Sequence, residues 1–406
     1  LVIGDFQAQF GQGLACWTGL GFGKSADGTA IRKNGIGLKP YTSVTENMFL
    51  RGAGVTLGIK NTELTVFGSF KKTDANIIST DSASSDLMFI SSLQESGLHS
   101  TPSEITDKNA VGEKVFGGHF AFRRKTLNIG VTAFSSVYSA TLKKTSEPYS
   151  QFQFSGKSMS NLGFDYSYIY KNLNFFGELA RSSNDAYALI SGVLISLDAK
   201  VTATLAYRNY GKKYQAYYTS AFGENNSTAN EHGLYAGITI RPYYFLTLQA
   251  YLDNIRFPWL KYRVDAPSAE SDMLLQLNWK PSKKMEMYGR YRQTNKELNS
   301  SDEDEIIDYT VGTAKQNFRY NAVYMVSHSV SFKNRVDYIQ YQKSTETRSD
   351  GFVIYQDISF KKMKSPFTLS LRYAVFDADS YDSRIYCYES DVAEAYSIPA
   401  FYDKGI

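Results

Sequence analysis

The stretch GLYAGITIRPYYFLTLQAYLDN, residues 233–254, decides the fold of this chain. Apolar side chains occupy every second position from Leu234 onwards, and again from Leu246 onwards. Alternation with a period of two is typical of a β-strand whose two faces meet different surroundings. Two such runs joined by a short break predict a β-hairpin, with its turn at residues 241–243.

The same unit recurs along the chain and predicts about eight hairpins, or roughly 17 strands counted from an opening strand at residues 5–14. Short turns connect the strands on one side, whereas most connections on the other side are long and polar. This is the layout of an outer-membrane barrel with short periplasmic turns and long extracellular loops. The sequence therefore predicts an all-β fold, a large antiparallel transmembrane β-barrel.

Strand number bears on domain organisation, because bacterial barrels usually have an even number of strands. The odd count predicts a single barrel domain over residues 1–406 that is truncated at both ends, with more strands in the full chain. A barrel of more than about 16 strands has room for an aqueous lumen or a plug.

Composition excludes several other classes of protein. The 406 residues carry a formal net charge of +4 and are 15% aromatic, which argues against disorder and against nucleic-acid binding by the whole surface. The longest strongly apolar run, residues 186–197, is shorter than the roughly 17–25 residues of a spanning helix. Two cysteines exclude a disulfide-dense scaffold. A soluble carbohydrate-binding β-sandwich remains an alternative.

The polar face of the strands carries charges near mid-strand, and in a membrane barrel that face lines the interior. An inward basic set could favour anionic solutes, or the charges could pair into a ladder that stiffens the wall. On the opposite face, Leu248 is expected to face mid-bilayer lipid, with aromatic residues near the strand ends. The candidate lumen-facing charges are Glu178, Arg208, Glu286, Arg290, Arg292, Arg335, Asp337 and Arg372.

Two long loops are rich in aromatic residues. Rigid aromatic side chains in an outside loop could contact a partner or a glycan, and they could equally fold inward as a plug or pack on neighbouring loops. The candidate contact residues are Phe257, Trp259 and Tyr262 in one loop, and Tyr214 and Tyr217 in the other.

Three smaller features have local interpretations. Cys16 and Cys387 lie on the same predicted side and could form a disulfide. Ser82 lies in an Asp-Ser-Ala sequence that resembles an O-glycan acceptor, and residues 302–305 form an acidic run that fits a solvated loop better than a Ca²⁺ site. Lys24 follows Gly23, but a phosphate-binding loop is rejected because its upstream glycine is missing.

Catalysis has little support in the sequence. The chain has four histidines, and neither a serine nor an aspartate is tied to any of them by a motif, as nucleophilic catalysis would need. His119 is expected to point inward as a structural hydrogen-bonding residue. The sequence therefore predicts a non-enzymatic protein with no catalytic residue, no cofactor and no metal site. A membrane-embedded hydrolase remains an alternative.

Residues 4–14, residues 230–235 and, most specifically, the run FPWLKYRVDAPS at residues 257–268 resemble a Bacteroidota outer-membrane family. Its members look like large barrels associated with an N-terminal helix-hairpin-helix (ComEA-like) segment. The resemblance implies a barrel in the bacterial outer membrane. The helix-hairpin-helix segment is not in these residues, so no nucleic acid is expected to bind to them, and DNA uptake remains an alternative.

The function expected from all these features is that of a channel, or of a scaffold within an outer-membrane transport or assembly complex. The expected partners are the lipid bilayer and outer-membrane proteins or lipoproteins. No small-molecule substrate is identifiable from the sequence.

Overall fold

The structure, a computed structural model, describes most of the chain. The residues outside the described part are 22, 44–48, 81–87, 95, 145–146, 301–308, 345 and 391–395. Ser82 and the acidic run at 302–305 lie outside the described residues, so both interpretations stay predictions.

The described residues are almost entirely β-strands. The strands are β1 Val2–Gln9, β2 Gly37–Pro40, β3 Leu50–Ile59, β4 Thr62–Thr73, β5 Ala75–Thr80, β6 Met88–Leu93, β7 Val111–Arg124, β8 Leu127–Leu142, β9 Gly156–Tyr170, β10 Leu173–Ser182, β11 Tyr187–Asp198, β12 Val201–Tyr210, β13 Glu231–Tyr243, β14 Leu246–Phe257, β15 Ser268–Ser282, β16 Met285–Asn299, β17 Thr310–Met325, β18 Val330–Lys343, β19 Ser349–Lys361, β20 Thr368–Ala378, β21 Ile385–Tyr386, β22 Glu389–Ser390, β23 Tyr396–Ser397, β24 Ala400–Phe401 and β25 Asp403–Gly405. The helices are α1 Pro102–Asp107 and three 3₁₀ turns at Gly28–Ile31, Pro148–Ser150 and Tyr381–Ser383. No helix among the described residues is long and apolar enough to cross a membrane.

Seventeen strands form one continuous antiparallel wall, in the order β1, β3, β4 and then β7 to β20. Four shorter strands join this wall to make a sheet of 21 strands. The predicted all-β barrel fold is confirmed. The predicted number of about 17 strands matches the wall, whereas the whole sheet has 21 strands. Within the described ranges, no ladder joins β1 to β20.

The hairpin at residues 233–254 forms as β13 and β14, but its turn is not where the sequence placed it. The ladder slips between Ile240 and Tyr243, and the two-residue connection falls at Tyr244 and Phe245. Pro242 lies in the slipped stretch, where its missing N–H breaks no regular ladder bond. Because the proline is accommodated at a bulge, β13 continues to Tyr243, beyond the predicted start of the turn at residue 241.

The opening strand also differs from the prediction, since β1 ends at Gln9 rather than at residue 14. Gly11 and Gly13 both have positive φ, at 58° and 85°, a backbone region that glycine enters without steric cost. These two glycines turn the chain away from the wall and into the interior.

The wall has two ends and two faces. Connections of a few residues lie at one end, here called the short-turn end, and the longer connections lie at the other, the long-loop end. One face is apolar and exposed, as for Leu234, Leu275 and Leu277. Aromatic residues are exposed on this face, as expected from the sequence: Tyr207, Trp279, Tyr320, Tyr324 and Tyr373. The opposite, inner face carries the polar residues and is covered in part by loops.

Candidate functional site: the lumen and its loops

Two connections from the long-loop end fold against the inner face of the wall. The first, residues 11–36, is here called the plug segment, and the second, residues 211–230, is called the inner loop. Leu14 and Ile31 of the plug segment belong to one apolar cluster with Tyr214 of the inner loop. The same cluster contains wall residues from β10 to β15: Phe176, Ala180, Ala188, Ile190, Ala206, Tyr210, Tyr235, Tyr251 and Leu274. Both connections are thus part of the core.

Glu178 on β10 anchors the first turn of the plug segment. Its carboxylate accepts backbone N–H bonds from Gln12 at 2.5 Å, from Leu14 at 3.1 Å and from Ala15 at 2.9 Å. Successive N–H groups that converge in this way form an anion-binding nest. Glu178 is 2% exposed. Its carboxylate is therefore shielded from water, and the three amides supply the hydrogen bonds that water would otherwise make.

Lys24 anchors the middle of the plug segment. Its Nζ lies 2.7 Å from Glu224 of the inner loop, 2.7 Å from Asp253 on β14 and 3.3 Å from Asp272 on β15. Its side chain is 3% exposed. Burial pulls the pKa of Lys24 down, but Asp253, Glu224 and Asp272 together outweigh burial and hold that pKa above its ordinary value. One charged ammonium therefore joins the plug segment, the inner loop and two wall strands.

Further cations complete the ion-pair network around Lys24. Arg208 donates to both oxygens of Asp253, at 2.8 and 3.0 Å, and to Glu231 at 2.5 Å. Arg292 donates to both oxygens of Asp272, and Lys296 lies 2.9 Å from Glu224. Asp253, Asp272 and Glu224 are thus each shared between two cations. This sharing offsets the desolvation that an isolated buried charge would suffer.

Most of the predicted lumen-facing arginines are bonded to carboxylates, as a structural ladder requires. Besides Arg208 and Arg292, Arg335 pairs with Asp337 and Arg372 pairs with Asp357. The predicted acids do not all pair with arginine. Glu178 binds backbone amides, as described above, and Glu286 pairs with Lys280 in a mostly exposed contact.

Arg290 differs from the other arginines of this set. It is half-buried on β16 and donates to the side chain of Asn317 at 3.2 Å. Among the described residues, no carboxylate lies within ion-pair distance of Arg290, and its Nε has no hydrogen-bond partner. Arg290 is therefore the arginine of the predicted set that does not take part in a ladder of ion pairs.

The predicted loop aromatics separate into two groups. Tyr214 and Phe257 are buried, and the Tyr214 hydroxyl donates to the backbone oxygen of Leu14. Their burial rules out an exposed contact role, since these two side chains pack inward. Tyr217 is half-buried. Together with Trp259 and Tyr262, it lines a cavity of about 790 Å³ at the long-loop end, which is here called the vestibule.

His119 has the structural surroundings that the sequence analysis expected. Its Nδ1 lies 2.9 Å from the Thr132 hydroxyl, and its ring stacks on Phe10 at 4.5 Å between centroids. Within the described ranges, no group of three or more His, Cys, Asp and Glu side chains is placed to hold a metal ion.

The disulfide considered between Cys16 and Cys387 is not formed. Both thiols are free and buried, and they belong to separate apolar clusters, one beside Phe6 and Phe67 and the other beside Val353. Burial raises the pKa of both thiols.

Thiol labelling should show this separation. With iodoacetamide, the folded protein is expected to react slowly at both cysteines, because a buried, protonated thiol is a poor nucleophile. After denaturation without reductant, mass spectrometry should find two labels per chain. Labels that appear only after reduction would mean that the disulfide exists.

Several central residues of this site were not predicted from the sequence. Asp253 and Glu231 lie on the strand face that the alternation assigns to the lumen, so their inward direction could have been found. The pairing of Lys24 with three acids could not, because it joins residues about 200 to 250 positions apart through a loop of irregular structure.

The wall decides the broad class of the protein. Its exposed face is a continuous apolar surface, whereas its inner face is polar and charged, which is the arrangement that lipid outside and water inside require. The chain is an outer-membrane β-barrel. Its lumen-side charges and inward loops therefore lie within the barrel, and the short-turn and long-loop ends correspond to the periplasmic and extracellular ends of such proteins.

Comparisons with known proteins give distant likenesses only. No protein-family model and no curated protein matches the chain. Among solved structures, it is similar to Pseudomonas aeruginosa OccK5, at 9% identity and a TM-score of 0.37, over 79% of this chain and 93% of that one. It is also similar to the Vibrio cholerae outer membrane protein OmpT (8%, TM-score 0.37, 80% and 89%) and to the Acinetobacter baumannii outer membrane channel DcaP (12%, TM-score 0.36, 80% and 94%).

Proposed function

We propose that this barrel is a non-enzymatic outer-membrane channel whose lumen is closed by its own plug segment. The observation that carries the proposal is the position of Lys24, buried and charged among three carboxylates of the inner loop and the wall. A buried ion pair is strongly destabilised when one partner is removed. Lys24 is therefore suited to hold the plug segment in place until another interaction competes for the acids.

The remaining contacts support closure by docking. Glu178 binds the turn at residues 12–15, and the Lys33 ammonium donates to the Ser220 hydroxyl at 3.0 Å. Burial lowers the pKa of Lys33 to about 8. The plug segment is thus held at three places along its length by polar bonds, in addition to the apolar packing of Leu14 and Ile31.

Single-channel recording in planar bilayers tests the proposal. The wild-type barrel is expected to stay mostly closed. Lys24→Met removes one partner of a buried ion-pair set, at a cost of about 3–5 kcal/mol to the docked state. Since each 1.4 kcal/mol changes an equilibrium about tenfold, the ratio of open to closed time should rise by roughly a hundredfold or more.

Lys280→Met is the matched control, because it removes the same charge from an exposed pair at the short-turn end. Its recordings should be indistinguishable from those of the wild type. If the Lys24→Met barrel folds but never conducts, the channel proposal fails and a scaffold, identified by what co-purifies with it, replaces it. Full conductance of the wild type would contradict closure by the plug segment.

Membership of the Bacteroidota family resembled by residues 257–268 is part of this proposal, and so is partnership with outer-membrane proteins or lipoproteins. The support for a partner is the position of this run, which forms much of the connection between β14 and β15 at the long-loop end. A co-purification from outer membranes would identify any partner at that end.

A further inference from the structure

The vestibule is a cavity of about 790 Å³ between the inner loop, the connection from β8 to β9 and the connection from β14 to β15. Its volume lies within the roughly 300–1,000 Å³ typical of small-molecule sites. Wall residues such as Met159 form part of its lining, so it lies at the mouth of the lumen rather than on the outer surface.

The charge of the vestibule is one-sided. Four lysines line it, Lys144, Lys212, Lys261 and Lys296, and the described lining residues include no aspartate or glutamate. Lys296 is paired with Glu224 and Glu270. The other three have no carboxylate within ion-pair distance among the described residues. Burial without a compensating acid lowers the pKa of Lys144. An anion bound beside Lys144 would stabilise its charged ammonium form.

The lining also presents aromatic side chains in fixed orientations. Trp259 is held by Asn230, which bonds both its backbone N and its backbone O, and its indole N–H donates to the backbone oxygen of Pro148. Phe152 packs edge-on against the Trp259 ring at 4.9 Å, and the Lys212 ammonium lies 4.4 Å from that ring. An aromatic face beside a cation is therefore preorganised at the vestibule.

Uncharged hydrogen-bonding groups complete the lining. Gln153 and Asn226, which carry side-chain amides, line the same cavity, together with the hydroxyl-bearing Ser227 and Thr228. Amides offer both donors and acceptors, which suits a ligand with many hydroxyl groups. Aromatic side chains can stack on the C–H groups of a sugar ring, because the faces of the aromatic ring carry negative charge density.

We propose that the vestibule binds an anionic saccharide, such as a uronic-acid oligosaccharide, with Lys144 and Lys212 on its carboxylates and Trp259 on a ring face. This deepens the proposed channel function by naming a ligand class at the mouth of the same lumen. Binding at equilibrium does not depend on conduction, so the two proposals fail separately.

Isothermal titration of the detergent-purified full chain tests this assignment. The probes are tri-galacturonic acid, neutral maltotriose and benzoate, an anion with no sugar ring. Tri-galacturonic acid is expected to bind at least about tenfold more tightly than either other probe. Lys212→Met and Lys144→Met should each weaken its binding by about tenfold, the order of one lost charge-assisted hydrogen bond. Trp259→Ala should weaken all sugar binding.

Lys280→Met again serves as the control and should leave the affinity unchanged. Three results would overturn the proposal: no binding of tri-galacturonic acid, equal binding of maltotriose, or benzoate binding as tightly as the acidic sugar. Conductance recorded on the same preparations separates the proposals. Binding without any conducting state would contradict the channel, and a conducting Lys24→Met barrel without binding would contradict the vestibule site.

Discussion

Replacing Asp253 by asparagine is expected to lower the free energy of unfolding by about 3–5 kcal/mol, the cost of removing one partner from a buried ion pair. Asp253 is fully buried and receives two bonds from Arg208 and one from Lys24. Asparagine has nearly the same size, so packing is preserved while both cations lose a charged partner. Denaturant titration of the barrel in lipid vesicles measures the change.

Glu286→Gln supplies the contrast, since it removes a carboxylate from the exposed pair with Lys280. A pair of this kind contributes only about 0–1 kcal/mol. In a Lys24→Met background, the cost of Asp253→Asn should fall, because one of the two stranded cations is gone and the sites are coupled. Equal costs for Asp253→Asn and Glu286→Gln would mean that the network does not stabilise the fold.

The wall was largely predictable from the sequence, because apolar and polar residues alternate along each strand and so distinguish its two faces. Alternation around residues 233–254 specified the strands and the lumen-facing register, and the lengths of the connections specified the two ends. The predictions that were wrong concern the ends of strands, which depend on backbone bulges and turns that the alternation of side chains does not show. The bulge at Pro242 moved a turn, and the positive φ of Gly11 and Gly13 ended β1 early.

The loops were less predictable, because their conformation depends on tertiary contacts. Phe257 and Trp259 are aromatic residues of the same short run, yet Phe257 is buried and Trp259 lines the vestibule. A short sequence such as Gly23-Lys24 resembles a phosphate-binding motif, but three acids from distant elements give Lys24 its role. Charge pairing across a lumen has no local signal in the chain.

Arginine at Leu275 is expected to lower the free energy of unfolding by about 2–4 kcal/mol, the cost of a cation on the lipid face at mid-bilayer depth. Leu275 is 52% exposed on the apolar face and pairs with Ala250 and Tyr291. Leu248 was predicted to lie at mid-bilayer depth, but it lies only two residues from the short-turn end of β14. The cost of arginine there should be smaller, because the penalty falls towards the interface.

Gln249→Arg is the matched control for this depth series. Gln249 lies on the inner face, where its side chain accepts a hydrogen bond from Asn278, so an added cation can remain in contact with polar groups and water. Its cost should stay within about 1 kcal/mol. Unfolding titrations in vesicles should therefore rank the three variants Leu275→Arg, Leu248→Arg and Gln249→Arg in order of decreasing destabilisation. If Gln249→Arg lowered the free energy of unfolding more than Leu275→Arg does, Gln249 rather than Leu275 would face lipid. That result would contradict the membrane register.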